Sequence, residues 1–292
     1  MLVVVSFATS AALLIVLNKL CLQEANVPAS LATVQFFITA LTARVVLQAR
    51  RAAIQSFHTV WLFYIALFTI SIYMNMRLLA NTGVAFVIVV RSCLPISVSV
   101  LEYIYLEREF PDMQRTSTIL SIALSAYAYA CADIHAIRMS DACCAALYFG
   151  CLSAEMIVAK KLALSDSDPW ITTYYNNMLA SIPMALFATM ELDKLETIVW
   201  SPRNSMLLLS SCVFAVSISV FSWQTRATLS ATMYSILGVT NKFISIGVSM
   251  AIWPTSLSHV QLVIVAVGLL SGASYRSMPE RKTETLLGNV SF

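Results

Sequence analysis

The chain consists almost entirely of apolar stretches about twenty residues long, and this feature limits the folds open to it. A helix of that length crosses a lipid bilayer, whereas the strands of a membrane barrel alternate over about ten residues. Of the 292 residues, 59% are hydrophobic and only 11% are charged, which is less than half of the roughly 25% typical of soluble domains. The sequence therefore predicts an all-α integral membrane protein and excludes a water-soluble globular fold.

Ten such stretches predict ten transmembrane helices with short connections. They cover residues about 2–21, 29–48, 60–79, 83–104, 116–133, 142–159, 169–188, 205–223, 230–252 and 258–276. We expect one membrane domain over residues 1–292, with five-helix repeats over about 1–138 and 139–276 and a short tail over 277–292. Because each repeat has an odd number of helices, the two repeats must be inverted relative to each other in the bilayer.

Basic residues concentrate on one side of this predicted topology. The side that holds both termini carries Arg50, Arg51, Arg108, Arg115, Lys160, Lys161, Arg226, Arg276, Arg281 and Lys282. The opposite side carries Arg77, Arg138, Lys194 and Arg203. In this assignment Lys160 ends the sixth helix and Arg226 lies in the connection after the eighth. The positive-inside rule therefore places both termini in the cytosol.

Two cations lie near the centres of predicted helices. Arg91 is in the fourth helix and Lys242 is in the ninth, the equivalent position in a five-plus-five repeat. A cation at the bilayer centre costs about 2.5–3.5 kcal/mol on insertion scales, and such residues usually face a cavity or a substrate path. Snorkelling does not account for them, because each lies about ten residues, or roughly 15 Å, from a helix end. Two cations at this depth favour an anionic substrate.

Small and polar residues form a stripe on one face of the ninth helix. Tyr234, Gly238, Asn241, Ser245 and Ser249 recur at spacings of three and four residues, and Lys242 borders the stripe. A stripe of this kind can hold helices together, but helix packing requires neither a lysine nor a tyrosine. We therefore expect this face to line a cavity.

The seventh helix carries two adjacent asparagines, Asn176 and Asn177. An amide offers a donor and an acceptor together, which suits the edge of a nucleobase. The same amides can instead bond neighbouring helices, and the residues leave the two interpretations open. Together these features indicate a secondary transporter for a phosphorylated, polar organic anion.

Two motifs resemble those of nucleotide-sugar transporters in the drug/metabolite transporter superfamily, specifically the GDP-mannose, or GDP-sugar, branch. The branch has F-Y-N-N in helix seven and G-A-L-N-K in helix nine. Here the corresponding residues are Tyr174 to Asn177 and Gly238 to Lys242. This chain has Tyr174 in place of Phe, and Val239-Thr240 in place of Ala-Leu. We expect the second departure to change residues beside the site.

The resemblance implies a set of binding residues and a transport reaction. Guanine would be bound by Tyr175, Asn176 and Asn177, with the serines Ser219 and Ser222 of helix eight. The sugar and diphosphate would be bound by Tyr234, Gly238, Asn241, Lys242 and Arg91. It further implies exchange of a GDP-sugar, GDP-mannose or GDP-fucose, for GMP across the Golgi membrane. The expected partners are substrate, counter-substrate, membrane lipid and a second copy in a homodimer, and nucleic acid is not expected.

Other interpretations assign a different cargo to the same fold, or assign the chain a role other than transport. A UDP-sugar or a sugar phosphate is the alternative cargo, and a non-transporting scaffold is a further alternative. An enzyme would need more than the Asp166-Ser167-Asp168 match to D-x-D, because Asp168 precedes Pro169 and is placed to cap a helix. We expect no enzymatic activity, no cofactor or metal, and no ATP-driven step, since the chain lacks G-x-x-x-x-G-K-[ST].

Overall fold

The structure is a computed structural model that describes residues 2–24, 27–51, 59–82, 84–131, 138–165, 168–195, 201–252 and 259–277. Within these ranges the regular structure is entirely helical. The helices are α1 (Leu2–Glu24), α2 (Pro28–Ala49), α3 (Val60–Thr82), α4 (Val84–Ser92), α5 (Leu94–Tyr105), α6 (Met113–Cys131), α7 (Met139–Ser165), α8 (Pro169–Ala188), α9 (Leu192–Leu195), α10 (Pro202–Thr228), α11 (Ala231–Ile252) and α12 (His259–Ser277). A short 3-10 helix, Thr189–Glu191, precedes α9.

A helix occurs at each of the ten predicted stretches, and five described segments are long and apolar enough to cross a membrane. These five are Leu2–Leu22, Pro28–Ala49, Phe86–Tyr105, Met139–Leu164 and Pro202–Thr228. Helices satisfy every backbone donor and acceptor internally, which is what a lipid environment demands. The prediction of an all-α protein with membrane-spanning helices is confirmed at this level. The tail over 278–292 lies outside the described residues.

The fourth predicted helix is divided into α4 and α5 at Cys93. Pro95 occupies the first turn of α5, and it has no backbone N–H to continue the ladder from α4. The position of this proline therefore accounts for the break between the two helices. Proline also begins α2, α8 and α10, where the first N–H groups lack an intrahelical partner in any case.

The helices pack in pairs, and buried apolar side chains form four clusters between them in the described residues. The main pairs are α2 with α8, α1 with α10, α3 with α7, and α6 with α12. Trp61, Tyr64 and Trp223 form one core between α3, α7, α8 and α10. Ile122 and Phe243 belong to another between α4, α6, α11 and α12. The outer surface is also apolar, with exposed Leu, Val and Ile side chains along most helices, as expected for helices that face lipid.

Two carboxylates connect helix ends that are distant in sequence. Glu102, at the end of α5, accepts hydrogen bonds from the backbone N–H groups of Ala231 (2.7 Å) and Thr232 (2.9 Å) at the start of α11. Glu191 accepts from Ala29 (3.0 Å) and Ser30 (2.9 Å) at the start of α2. The first N–H groups of a helix lack intrahelical partners and carry the positive end of the dipole. Each carboxylate therefore fixes the start of one helix against the end of another.

Two basic residues differ from their predicted placement at helix ends and connections. The prediction from sequence was that the sixth helix ends at Lys160 and that Arg226 lies in a connection. In the structure α7 and α10 continue several residues further, and both side chains are buried. They remain helical because each finds a partner inside the bundle, as described below. By contrast, the predicted cap at Asp168 is confirmed, since its side chain accepts from Trp170 N at 2.9 Å.

Glycines in α12 allow close packing against α11. A Cβ built at Gly268 would lie 2.8 Å from the ring of Phe243, which is fully buried and cannot move aside. A Cβ at Gly272 would lie 2.3 Å from Thr240 Oγ1. In contrast, a Cβ at Gly150 in α7 would meet no atom within 4 Å. The contact between α11 and α12 therefore depends on these glycines, while Gly150 serves no comparable purpose.

We expect Gly268→Ala to lower the stability of the protein and Gly150→Ala to leave it unchanged or raised. Overpacking costs about 1–3 kcal/mol, whereas alanine in place of an unconstrained helical glycine gains roughly 0.5–1 kcal/mol. Thermal unfolding of the detergent-purified variants measures the difference. Equal melting temperatures for the two variants would contradict the close packing of α12 on α11.

Candidate functional site

The residues predicted to form the site lie on four helices that meet in the interior. Arg91 is on α4; Tyr175, Asn176 and Asn177 are on α8; Ser219 and Ser222 are on α10; Tyr234, Gly238, Asn241 and Lys242 are on α11. Direct contacts connect α8 to α10 and α10 to α11. The two cations lie at the α4 and α11 end of this series.

Asn177 connects α8 to α10. Its Nδ2 donates to Ser219 Oγ at 2.7 Å and to the backbone carbonyl of Thr173 at 2.8 Å. The side chain is buried, so these bonds replace bonds to water. Of the two interpretations left open for the asparagines, the inter-helix bond is the one that Asn177 makes in this structure.

Asn176 differs from its neighbour. Its Oδ1 is buried and accepts no hydrogen bond from the described residues. A buried acceptor without a partner is uncommon and calls for an explanation. The oxygen would suit a donor such as the N1–H or the exocyclic amino group of guanine. Beside it, the ring of Tyr175 packs against Trp61, with centroids 5.7 Å apart.

Tyr234 connects α10 to α11. Its hydroxyl and the hydroxyl of Ser222 lie 2.7 Å apart and form a hydrogen bond, and its ring lies 5.5 Å from Phe7 of α1. One turn further along α11, a Cβ at Gly238 would meet nothing within 4 Å. This face of the helix therefore borders open space, as expected for a cavity wall. The side chains of Ser245 and Ser249, which continue the predicted stripe, lie outside the described part of the chain.

The opposite face of α11 is packed. Val239 is buried in the core with Ile236 and Phe243, and the hydroxyl of Thr240 lies against Gly272 of α12. Residues 239 and 240 therefore point toward α4, α6 and α12, away from Tyr234. In this structure the helical rotation places Val239 and Thr240 on the packing face. The expectation that their departure from the motif changes residues beside the site stays a prediction.

Arg91 and Lys242 lie on α4 and α11, two helices that contact each other. Arg91 Nε donates to the hydroxyl of Tyr148 on α7 at 2.5 Å. In the described residues neither cation forms an ion pair with a carboxylate. Because like charges in an apolar interior are costly, an anion between or beside these two side chains would stabilise them. The break between α4 and α5 lies two residues after Arg91, at Cys93.

A buried ion pair that was not predicted from the sequence lies beside these residues. Arg226 Nη2 lies 3.0 Å from Glu155 Oε1 of α7, and the guanidinium carbon lies 4.5 Å from the centre of the Tyr234 ring. Lys160 donates to the carbonyl oxygens of residues 226 (2.7 Å) and 227 (3.0 Å). The signal was available, because Glu155 is a lone carboxylate in the apolar stretch "CLSAEMIVA" and such a residue needs a partner.

The arrangement as a whole has two chemically different ends. The α8 and α10 end presents amides, hydroxyls and aromatic rings, which suit a planar heterocycle. The α4 and α11 end presents two cations without carboxylate partners in the described residues, which suit a phosphate or diphosphate. Between them lies the open face of α11 at Gly238.

Comparison with known proteins finds relatives that match almost the whole chain. The GDP-mannose transporter GONST3 of Arabidopsis thaliana is 26% identical over 295 residues, covering 96% of this chain and 78% of that protein. GDP-fucose transporter 1 of Arabidopsis thaliana is 26% identical over 294 residues, covering 94% and 84%. A GDP-mannose transporter of Malassezia globosa is 29% identical over 129 residues, covering 41% of this chain and 26% of that protein.

A solved structure described only as "Crystal structure of protein" has the same fold. It aligns with a TM-score of 0.72 at 14% identity and covers 93% of this chain and 96% of the other. At this identity the likeness concerns the fold alone. No family profile matches the sequence.

The two asparagines should differ in their effect on the stability of the unliganded protein. Asn177→Ala removes two hydrogen bonds and leaves a half-buried serine, Ser219, and the Thr173 carbonyl less well satisfied, at a cost of about 1–2 kcal/mol. Asn176→Ala removes an acceptor that has no partner in the described residues, so it should change stability little. Melting temperatures of the two variants without nucleotide test this. A lower melting temperature for Asn176→Ala than for Asn177→Ala would contradict the geometry.

Proposed function

From its homology to GDP-mannose and GDP-fucose transporters over nearly its full length, we propose that this protein is a nucleotide-sugar transporter that carries GDP-sugars. The family resemblance indicated by the motifs in α8 and α11 is confirmed by these relatives, which are transporters and not enzymes. The observation that carries the proposal is the agreement of two relatives on one cargo class, each matched across at least 94% of the chain.

The site supports this cargo through the separation of its two ends. We assign guanine to the α8 and α10 end, where Tyr175, Asn176, Asn177, Ser219 and Ser222 lie. Asn176 Oδ1 is the acceptor that a guanine N–H would satisfy. Asn177 would hold Ser219 in place, or would exchange that bond for one to the base.

We assign the diphosphate and sugar to the α4 and α11 end. Arg91 and Lys242 would bind the phosphates, and the anion would remove the repulsion between them. Tyr234 and Asn241 are buried on the same face of α11 and offer a hydroxyl and an amide to the sugar. Gly238, which leaves open space beside it, would allow the substrate to approach the backbone. GDP-mannose is the first cargo to test and GDP-fucose the second.

The helix pairing supports the architecture of ten spanning helices in two inverted repeats. Exchanging the two halves maps α1 to α7, α2 to α8, α3 to α10, α4–α5 to α11, and α6 to α12. If the two repeats are related by symmetry, each helix pair in contact should have a second pair in contact that this exchange produces. The contact between α1 and α10 corresponds to that between α7 and α3, and the contact between α4 and α6 to that between α11 and α12. The contact between α5 and α7 corresponds to that between α11 and α1. All of these pairs occur. The α2–α8 and α6–α12 pairs map onto themselves, as expected for contacts on a pseudo-two-fold axis.

In this architecture α4 and α11 are equivalent helices, and each contributes one of the two cations. A midplane site between inverted repeats is suited to alternating access. We propose that GMP is the counter-substrate, that the membrane is that of the Golgi, and that both termini are cytosolic. An empty site with two repelling cations resists reorientation, while an anion-filled site does not, so exchange is favoured over net transport.

Binding of guanine nucleotides should raise the melting temperature of the purified protein. A ligand that binds only the folded state stabilises it by about 2.7 kcal/mol at a hundredfold excess over the dissociation constant. We expect GMP, GDP-mannose or GDP-fucose to stabilise the protein, and UMP, CMP and AMP to have no effect. Lys242→Ala and Asn176→Ala should abolish the response to GMP, and Arg108→Met, a basic residue outside the site, should retain it.

Other outcomes of the same assay would favour a different cargo or a different role. Stabilisation by UMP and UDP-galactose in place of the guanine ligands would overturn the guanine assignment and favour a UDP-sugar cargo. A folded protein that responds to no nucleotide would favour a sugar phosphate or a non-transporting role.

Transport should depend on nucleotide inside the vesicle. In proteoliposomes, uptake of radiolabelled GDP-mannose should be at least tenfold faster with internal GMP than with empty vesicles, because the unliganded site reorients slowly. Internal UMP provides the matched control. Fast uptake into vesicles without internal nucleotide would contradict obligatory exchange while leaving the cargo assignment unaffected.

A further inference from the structure

Resting on the proposed function, we infer that Glu155 and Arg226 are a positioning pair for Tyr234 and thereby set the affinity of the site for its anionic substrate. Neither residue belongs to the set of substrate-contacting residues assigned above. Both are buried, with Glu155 1% and Arg226 9% exposed. Their carboxylate and guanidinium groups approach to 3.0 Å.

The guanidinium of Arg226 is held from several directions. Glu155 of α7 pairs with Nη2, and the Trp223 and Tyr234 rings lie 5.5 Å and 4.5 Å from its central carbon. Five residues along α7 from Glu155, Lys160 fixes the backbone carbonyl of the same arginine. One helix therefore fixes both the side chain and the main chain of Arg226, which places the charge on the face of the Tyr234 ring.

Stability alone does not explain a buried pair of this kind. Removing two charges from water costs as much as their attraction gains, and apolar residues of similar volume often serve equally well or better. The core around Trp61, Tyr64 and Trp223 is already well packed without charge. A charged pair at this point therefore has a role that an apolar pair would not supply.

The contact with the tyrosine ring supplies that role. A cation over the face of an aromatic ring is attracted by the π electrons, and it draws electron density away from the phenol oxygen. The Tyr234 hydroxyl then becomes a stronger hydrogen-bond donor. Its partner in this structure is Ser222, and a phosphate or sugar oxygen on the open side of α11 would be a better acceptor.

Glu155 contributes by neutralising the arginine. Three cations approach this region, namely Arg91, Lys242 and Arg226. Of these, Arg226 forms an ion pair in the described residues, and the other two do not. The carboxylate therefore keeps Arg226 from competing for the phosphates, so the substrate charge is directed to α4 and α11.

Two variants test the inference because they should shift affinity in opposite directions. The double variant Glu155→Met with Arg226→Met removes both charges while keeping the volume, and it should weaken GMP binding about tenfold, equivalent to about 1.4 kcal/mol. Glu155→Gln keeps a hydrogen-bonding group and leaves the guanidinium charge uncompensated, and it should tighten GMP binding severalfold. Dissociation constants come from titration of the purified proteins with GMP.

A separate measurement tests whether the ion pair acts on GMP affinity through Tyr234. In a Tyr234→Phe background, which keeps the ring but removes the hydroxyl, the double methionine change should have little further effect on GMP affinity, since the two changes act on one group. In exchange assays the double methionine variant should raise KM for GDP-mannose more than it lowers the maximal rate. Arg77→Met, which removes an exposed basic side chain of α3, should leave KM unchanged.

Several results would overturn the inference. An unchanged affinity of Glu155→Gln for GMP would overturn it. Weaker GMP binding in both Glu155→Gln and the double methionine variant would also overturn it, because a purely structural pair predicts that result. The inference would also be overturned if Tyr234→Phe and the double methionine change raised the dissociation constant for GMP by factors that multiply when the changes are combined. If the double methionine protein does not fold, the sign of the Glu155→Gln shift decides. If the unmodified protein binds no guanine nucleotide at all, the proposed function itself fails, and that result is separate from these.

Discussion

The cost of placing charge inside an apolar bundle governs the organisation of this protein. Lipid gives the outer helix surfaces no polar partner, so each buried charge must find one within the bundle or meet it in the substrate. Glu155 and Arg226 pair with each other, and Lys160 donates to carbonyl groups at the end of α10. Arg91 and Lys242 form no ion pair in the described residues, and their mutual repulsion makes an anionic cargo the natural complement.

The helix ends depend on the same principle. Glu102 binds the first N–H groups of α11, and Glu191 binds those of α2. Each carboxylate satisfies donors that the helix itself cannot, and each connects segments more than a hundred residues apart in sequence. Glu102 in particular fixes the start of the helix that carries Tyr234, Asn241 and Lys242. The orientation of the face that we propose to bind substrate therefore depends on a contact in the first turn of α11, about three turns before Lys242.

Helix α11 borders the proposed site and has two different faces. Tyr234, Gly238 and Asn241 occupy the open face of α11, while Ile236, Val239 and Phe243 occupy the packed face. Small residues are needed on both sides for different reasons. Gly238 leaves space for a ligand, whereas Gly268 and Gly272 of α12 leave space for the side chains of α11. This division places residues 239 and 240, where the chain differs from the G-A-L-N-K motif that it resembles, on the packed face.

The order of the helices and the identity of the unusual residues follow from the sequence. Apolar length predicted ten helices and their approximate bounds, because the thickness of a bilayer is a local constraint on each segment. The cost of charge in lipid singled out Arg91 and Lys242 without any knowledge of the fold. Pro95 and Asp168 were equally readable, since the lack of an N–H and the capping of a helix are properties of neighbouring residues.

Tertiary structure decided what these residues touch. Sequence could not distinguish Asn176 from Asn177, because only the position of α10 determines which amide meets Ser219. It placed Arg226 in a connection, since the carboxylate that keeps it helical and buried lies 71 residues away, at Glu155 on α7. It placed Val239 beside the site because adjacency along the chain does not reveal which face a helix turns inward. Partners between helices depend on how the bundle is assembled, and that is a non-local property that no stretch of sequence carries by itself.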